Sequence, residues 1–189
     1  MRYRIITALA AAVAALGIAL PAAQASTAIS PACTAAGPPV SFCGGEQLAA
    51  PDLALAVRGG TELSGTPLIA ATGSVDPAQD FYIHSQPAGG GVYIEAAPDG
   101  VRDGLCTSEP STAVRTAIVL RKCHANNAFQ TFRREDIGST SPFVLLVNRA
   151  SGLAISDPSG GGNGTPLVSR NPGFGTALNE LWQPEDGVG

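Results

Sequence analysis

The stretch NGTPLVSR at residues 163–170 is followed, after a short glycine-containing loop, by NELW at residues 179–182, which holds the only tryptophan of the chain. The same order of motifs occurs twice earlier in weaker form. GTPLIAA at residues 65–71 precedes QDFY at residues 79–82, and TAIVLR at residues 116–121 precedes NNAF at residues 126–129. Three ordered copies of one unit indicate a repeat architecture.

The units recur at nearly constant spacing. Successive threonines of the motif lie 50 and 49 residues apart, and successive aromatic residues lie 47 and 53 apart. We expect each aromatic residue to point inward and to meet the other two in a shared core. One unit of short strands cannot bury its apolar face alone, whereas three units around an axis can. The residues concerned are Thr66, Thr116 and Thr165, with Tyr82, Phe129 and Trp182 as the expected core anchors.

The composition favours short strands and turns over helices. The chain contains 23 glycines and 15 prolines, residues that weaken helices and occupy turns. Its formal net charge is −4, and no basic cluster stands out. Nucleic acids and anionic membranes attract proteins of the opposite charge, so neither is expected as a partner.

The N-terminal residues have the features of a secretory signal peptide. Arg2 and Arg4 precede an apolar run at residues 5–20, Pro21 interrupts it, and Ala23-Gln24-Ala25 has the small-x-small pattern of a cleavage site. The alternative is a membrane anchor, but the run is short and rich in alanine for a bilayer span. We therefore expect cleavage near Ala25 and an exported protein.

The remaining chain is expected to form one all-β domain at residues 48–189, after an N-terminal segment at residues 26–47. The expected repeats lie at about residues 48–88, 89–138 and 139–187, with about 12 short strands in total.

Four cysteines occur, at Cys33, Cys43, Cys106 and Cys123. An even number in an exported chain indicates two disulfide bonds, and four cysteines allow three pairings. The pairing of Cys33 with Cys43 and of Cys106 with Cys123 is favoured, because each bond closes a short local loop. A metal site is disfavoured, because the paired C-x-x-C or histidine spacing of such sites does not occur, and no cofactor is expected.

At these residues the chain resembles the ricin-type β-trefoil, or R-type lectin domain. The second repeat has Cys106 within LCT at residues 105–107, Cys123 after the strand VLRK, and the turn NNAF. The third repeat has SGLAI at residues 151–155, then GTPL, then NELW. The resemblance implies an all-β fold of three repeats with pseudo-threefold symmetry, and it implies the same bond between Cys106 and Cys123.

The resemblance also implies where sugars would bind. In the family a carboxylate, an aromatic ring and an asparagine form each shallow pocket, and this chain departs from that pattern. The first repeat has Ala71 at the ring position and only apolar residues at 54–57, where the carboxylate should be, so we expect its pocket to be lost. The corresponding residues are Ser108 (beside Glu109), Arg121 and Asn126 in the second repeat, and Ser156 (beside Asp157), Arg170 and Asn179 in the third.

The third repeat is the expected site of weak carbohydrate binding, through Asp157, Arg170 and Asn179. Arginine can lie flat on a ligand and donate several hydrogen bonds, so an acidic or uronic sugar is a possible ligand. The alternative is that Asn126 and Asn179 only brace their turns, and that Asp157 only begins a loop.

No enzymatic motif was found. Neither a G-x-S-x-G elbow, nor an H-E-x-x-H metal motif, nor a phosphate-binding loop occurs in the sequence. We therefore expect a secreted, monomeric, non-catalytic protein whose partner is a carbohydrate or glycoconjugate. The alternative is a β-trefoil protease inhibitor or interaction scaffold that presents the loop at 97–103, with Arg102, or the loop at 157–164.

Overall fold

The structure is a computed structural model, and it describes residues 42–44, 46–48, 53–73, 77–86, 91–97, 102–137, 143–158, 162–173 and 180–184. The signal peptide expected at residues 1–25, the partner Cys33 of the first expected disulfide, and Asn179 lie outside the described residues. No helix in the part of the chain described here is long and apolar enough to cross a bilayer.

Fourteen short strands account for most of the described chain, and none of its residues lies in an α-helix. The strands are β1 (Phe42–Gly44), β2 (Glu46–Leu48), β3 (Leu53–Val57), β4 (Leu68–Thr72), β5 (Phe81–Gln86), β6 (Gly91–Ala96), β7 (Leu105–Ser108), β8 (Val119–Lys122), β9 (Phe132–Asp136), β10 (Val144–Asn148), β11 (Ala154–Ser156), β12 (Thr165–Pro166), β13 (Val168–Arg170) and β14 (Leu181–Pro184).

A closed ring of antiparallel strands forms the body of the molecule. The order around the ring is β1, β5, β6, β9, β10, β14 and β2, and β1 and β2 are only one residue apart in the chain. The ring closes where Leu48 pairs with Trp182 and Phe42 pairs with Ile83. Residues 42–44 and 46–47, which were predicted to belong to the N-terminal segment, therefore complete the barrel together with Leu48.

Each repeat adds one hairpin to this ring: β3–β4, β7–β8 or β11–β13. The hairpins meet around a pseudo-threefold axis through their second strands. The amide of Leu68 donates to the carbonyl of Ile118, that of Ile118 to Leu167, and that of Leu167 back to Leu68, each at 2.9 Å. These three residues stand 50 and 49 apart and are fully buried. The predicted all-β fold of three related repeats is confirmed.

The core anchors differ in part from the prediction. Trp182 is fully buried in the main core, as predicted, but its counterparts there are Phe81 and Phe132. Tyr82 is buried outside that core, and Phe129 is 37% exposed. Tyr82 pairs with Glu95 on the opposite face of β5 from Phe81, because adjacent residues of a strand point to opposite sides.

Phe129 is displaced from the core because it lies in the 3-10 turn Ala128–Gln130, before β9 begins. Gln130, not Phe129, turns inward from this segment, and Phe132 follows it into the core. The recurring signal is glutamine or glutamate, any residue, then an aromatic residue, at residues 79–81, 130–132 and 180–182. Its aromatic residues are 51 and 50 apart, a more regular spacing than that of the predicted anchors.

The predicted disulfide between Cys106 and Cys123 is present, with the two Cα atoms 4.9 Å apart. It joins the start of the β7–β8 hairpin to the segment just after it. The amide of Cys123 also donates to the carbonyl of Gly104 at 2.7 Å, so the base of this hairpin is closed by both a covalent bond and a hydrogen bond.

Candidate functional site

The outer face of the β7–β8 hairpin brings together two predicted site residues. Cys106 pairs with Arg121 and Ser108 with Val119, so these four side chains share one face, while Thr107 and Leu120 point toward the core. Ser108 is buried, Val119 is partly exposed and Arg121 is exposed. The strand pairing therefore places a serine, a valine and an arginine side by side.

The β11–β13 hairpin repeats this arrangement. Ala154 pairs with Arg170 and Ser156 with Val168. Arg170 is exposed and Ser156 is fully buried, with a hydroxyl group that has no hydrogen-bond partner. The first repeat carries only Ala54, Ala56, Ile69 and Ala71 at the equivalent positions. That face has no polar side chain, which agrees with the expected loss of the first pocket.

The guanidinium groups of Arg121 and Arg170 are unengaged. Neither makes a hydrogen bond or an ion pair with its side chain to any residue that the structure describes. An exposed arginine without an intramolecular partner keeps all five N–H donors available to a ligand.

The acids next to the two serines point inward. Glu109 is buried; its Oε2 accepts a hydrogen bond from the Ser151 hydroxyl at 2.9 Å, and its Oε1 has no partner. Burial raises the pKa of Glu109, and the hydroxyl groups of Ser151 and Ser169 offset this only in part. This carboxyl joins the second repeat to the third from within, and a surface ligand does not reach it in this conformation.

Asp157 is also fully buried, and its Oδ2 accepts a hydrogen bond from the amide of Gly162 at 3.3 Å. Asp157 was predicted to contact a ligand, whereas in the structure its carboxylate is buried and accepts a hydrogen bond from the loop that follows it. A fully buried carboxylate cannot touch a surface ligand without local rearrangement.

Asn126 also differs from its expected position. It is exposed, has a φ of 64°, and lies in the turn before Asn127, whose side chain accepts a hydrogen bond from the Phe129 amide at 3.0 Å. Asn179 directly precedes Glu180, and the residue that directly precedes Gln130 is Phe129. In the second repeat an exposed aromatic residue, not Asn126, therefore occupies the position equivalent to Asn179.

A repeated side-chain brace, missed by the sequence analysis, ties each turn to the hairpin beside it. Its signal is the glutamine or glutamate two residues before each core aromatic residue. In the second repeat the braced turn is the one that carries Phe129. The contacts are Gln79 Nε2 to the Thr72 carbonyl at 2.7 Å, Gln130 Nε2 to the Lys122 carbonyl at 2.9 Å with the His124 amide to Gln130 Oε1 at 2.8 Å, and the Gly173 amide to Glu180 Oε2 at 2.7 Å.

A second polar cluster lies on the β5–β6 hairpin. Glu95 Oε2 is 2.8 Å from His84 Nε2 and accepts a hydrogen bond from Arg102 Nε at 2.9 Å, and Glu95 Oε1 accepts one from the Gly104 amide at 3.2 Å. Burial alone would raise the pKa of Glu95, but the hydrogen bonds from His84 and Arg102 and their positive charges together lower it. The carboxylate therefore anchors the segment that leads into β7.

Arg102, the residue expected to enter a protease, is part of this cluster. Its guanidinium carbon lies 5.8 Å from the centre of the Tyr82 ring, in addition to the contact with Glu95. The side chain is thus held against its own protein on two sides. Within the described residues, no group of three or more histidine, cysteine, aspartate or glutamate side chains could hold a metal ion.

Comparison with known proteins identifies the fold. No protein-family model matches the chain, and no curated protein matches it. Among solved structures it is similar to the designed threefold-symmetric protein ThreeFoil, at 18% identity and a TM-score of 0.65, over 75% of this chain and 96% of ThreeFoil. The Rhizoctonia solani agglutinin matches at 11% identity and a TM-score of 0.62, over 78% of this chain and 96% of the agglutinin.

An exo-beta-1,3-galactanase from Clostridium thermocellum matches at 16% identity and a TM-score of 0.66, over 77% of this chain but only 30% of the galactanase. At such identities the likeness extends to the fold alone. The resemblance to the β-trefoil lectins is confirmed at that level.

Proposed function

We propose that the protein is a secreted, non-catalytic carbohydrate-binding protein that uses the outer faces of the β7–β8 and β11–β13 hairpins. The observation that carries this proposal is the same arrangement of serine, valine and unengaged arginine on both faces. The similarity of the fold to that of an agglutinin supports it. Export rests on the signal-peptide pattern of residues 1–25, and we propose a monomer.

The chemistry of the faces suits a shallow polar ligand. The arginine supplies a planar fork of donors to hydroxyl or carboxylate oxygens, and the valine supplies a small apolar contact. Each face is small, so we expect weak binding at a single site, with a Kd on the order of 1 mM.

We propose no catalytic reaction at these faces. Hydrolysis of a glycosidic bond generally uses two carboxyl groups on either side of that bond. Glu109 and Asp157, the acids beside the two faces, are both buried and both accept hydrogen bonds from the protein itself. Inhibition of a protease through Arg102 is not favoured either, because Glu95 and Tyr82 hold this side chain.

A glycan array with the protein lacking residues 1–25, followed by titration of the best ligand, tests the proposal. The informative variant is the double substitution Arg121→Gln and Arg170→Gln, because both side chains are exposed and unengaged. Asp157→Ala is less informative, since it would disturb a buried loop contact. Arg134→Gln, an exposed arginine of β9, is the matched control.

We expect binding by the parent protein and the control, and loss of binding in the double variant. An empty array, or equal affinity of the double variant and the control, would contradict the proposed function.

A further inference from the structure

The turn Ala128–Gln130, which Gln130 joins to β8 by a hydrogen bond, carries an exposed aromatic residue at a position where the third repeat has an asparagine by sequence. Phe129 is 37% exposed and lies one residue before Gln130. The equivalent residue of the third repeat by sequence is Asn179. The two faces therefore share an arginine but differ in the group available for stacking on a ligand.

The backbone of Phe129 is held in place from several directions. The Phe129 amide donates to Asn127 Oδ1 at 3.0 Å, and its carbonyl accepts from the Glu109 amide at 2.9 Å and from Asn148 Nδ2 at 3.0 Å. Gln130 draws the same turn toward the carbonyls of β8, the strand that carries Arg121. An exposed phenylalanine on a fixed backbone is already ordered for contact with a flat apolar surface.

The exposed charge on this face is that of Arg121, whose side chain forms no ion pair with a described residue. Lys122 is also exposed, but it follows Arg121 directly in β8 and therefore points to the opposite side of the strand. Glu109 is turned inward and buried. The exposed Asp103 accepts a hydrogen bond from the Leu105 amide at 2.9 Å. Among the described residues no carboxylate forms an ion pair with Arg121, so the face presents hydrogen-bond donors and one positive charge.

We propose that the outer face of β7–β8 is a binding site for an anionic sugar. Arg121 binds the carboxylate or sulfate group, and Phe129 stacks on the apolar face of the pyranose ring. The Coulomb attraction between the guanidinium group and an anionic group is absent with a neutral sugar, which gives the site its preference. This inference rests on the proposed function and names its ligand class.

The second repeat is accordingly the stronger of the two sites. Arg170 offers the same cation on β13, but the residue equivalent to Phe129 in the third repeat is Asn179 by sequence, and asparagine has no ring to stack on a sugar. A substitution in the second repeat should therefore weaken binding more than the equivalent substitution in the third.

Calorimetric titration with three probes tests the inference: a galacturonic acid disaccharide, a sulfated galactose disaccharide and the neutral galactose disaccharide. We expect at least one anionic probe to bind about tenfold more tightly than the neutral one. That preference should diminish between about 50 mM and about 300 mM salt, because exposed charges are screened. Whether the uronate or the sulfate is preferred identifies the anion, and either result supports the site.

Variants separate the roles of the residues. Arg121→Gln should abolish the preference for anionic probes, while the control Arg134→Gln should retain it. Phe129→Ala should lower the affinity for anionic and neutral probes by the same factor, about tenfold, because stacking does not depend on charge. Phe129→Leu removes the ring but keeps a bulky apolar side chain, so it tests the loss of stacking even if Phe129→Ala fails to fold. A thermal melt of each variant checks its fold.

Equal affinity for neutral and anionic probes would overturn this inference and leave the proposed function standing. A preference that persists in Arg121→Gln would also overturn it. Failure of all probes, neutral and anionic, together with an empty glycan array, would contradict the proposed function itself.

Discussion

Thr107 carries a hydroxyl group into the core, at a position that the other repeats fill with Leu55 and Ile155. Its cross-strand partner is Leu120, whereas Leu55 faces Ala70 and Ile155 faces Ser169. Large and small side chains are thus exchanged between the two strands of the hairpin, which maintains packing with different residues. The exchange leaves the hydroxyl of Thr107 buried without a hydrogen-bond partner.

Thr107→Val should therefore stabilise the protein by about 1 kcal/mol, because it removes an unpaired buried hydroxyl and keeps the shape of the side chain. Urea unfolding measures this difference. Thr112→Val, at an exposed position, is the control and should change little. A less stable Thr107→Val variant would show that the hydroxyl has a partner in solution.

Glu109 is the second residue whose burial has a measurable cost. Its pKa is raised above the ordinary 4.5, so the folded state binds its proton more tightly than the unfolded state does. The stability contributed by the protonated form is lost as the pH rises from 4.5 through the raised pKa. Glu109→Gln should then be more stable than the parent by about 1 kcal/mol at pH 7, with a smaller gain at pH 4. Unfolding at both pH values provides the test, and destabilisation at pH 7 is the contrary result.

Of the three predicted core anchors only Trp182 lies in the main core, and the difference has a physical reason. Trp182 was identified because no other aromatic residue competes with it nearby. In the other repeats two aromatic residues lie within three positions of each other, Phe81 beside Tyr82 and Phe129 before Phe132. Which of them enters the core depends on the glutamine brace, whose bonds to the hairpin are not apparent from spacing alone.

At the scale of the element, the tight turn before the second strand of each hairpin has the same backbone conformation in all three repeats. Its residue is glycine in the first and third repeats and arginine in the second. Gly65 and Gly164 have φ values of 96° and 81°, and Arg115 takes the same place with a φ of 63°. The amide of each residue donates a 2.7 Å hydrogen bond to a backbone carbonyl of another repeat. Gly65 donates to Leu120, Arg115 to Ser169, and Gly164 to Ala70. A side chain with a Cβ atom is strained in this region of backbone conformation.

Arg115→Gly should stabilise the protein by about 0.5 kcal/mol, the relief of strain being partly offset by the greater freedom of glycine in the unfolded chain. Arg115→Ala keeps the Cβ atom and should bring no such gain. Comparing the two by thermal unfolding separates the backbone effect from the loss of the charged side chain. Equal effects of the two variants would exclude backbone strain as the cause.

Strand alternation made the hairpins predictable, since it places the serine and arginine of each on one face. It did not predict the inward direction of the acids that follow each serine. Glu109 is held by Ser151, 42 positions later, and such contacts between repeats are not contained in a local pattern. The strand pattern therefore predicted that both arginines lie exposed beside the serines, and it did not predict that the acids are buried. The roles of these residues as ligand contacts stay predictions.

On the scale of the whole molecule, two buried glutamates act on stability in opposite directions. Glu95 has a pKa below the ordinary 4.5, so its contribution is present above that pH and is lost as the pH falls through the lowered value. Glu109 has a raised pKa, so its ionisation lowers the stability of the folded state as the pH rises above 4.5. These two groups together favour greatest stability at about pH 4.5.

Glu95→Gln should destabilise the protein by roughly 2 kcal/mol at pH 7, because it removes the charged partner of His84 and Arg102. The difference from the parent should narrow as the pH falls below 4.5, where the parent's own carboxylate becomes protonated. Unfolding across the acid range measures this. A constant difference at all pH values would mean that the effect comes from packing and not from charge.

The ring of hydrogen bonds through Leu68, Ile118 and Leu167 has a consequence for how the chain can be connected. Each repeat donates to the next and accepts from the one before, so the arrangement has no first or last member. The strands β2 and β14 lie side by side, which brings Glu46 opposite Pro184. A circular permutant that links these ends and is opened at the exposed turn around Leu63 should therefore regain the same barrel, since the order of the repeats in space does not depend on where translation begins.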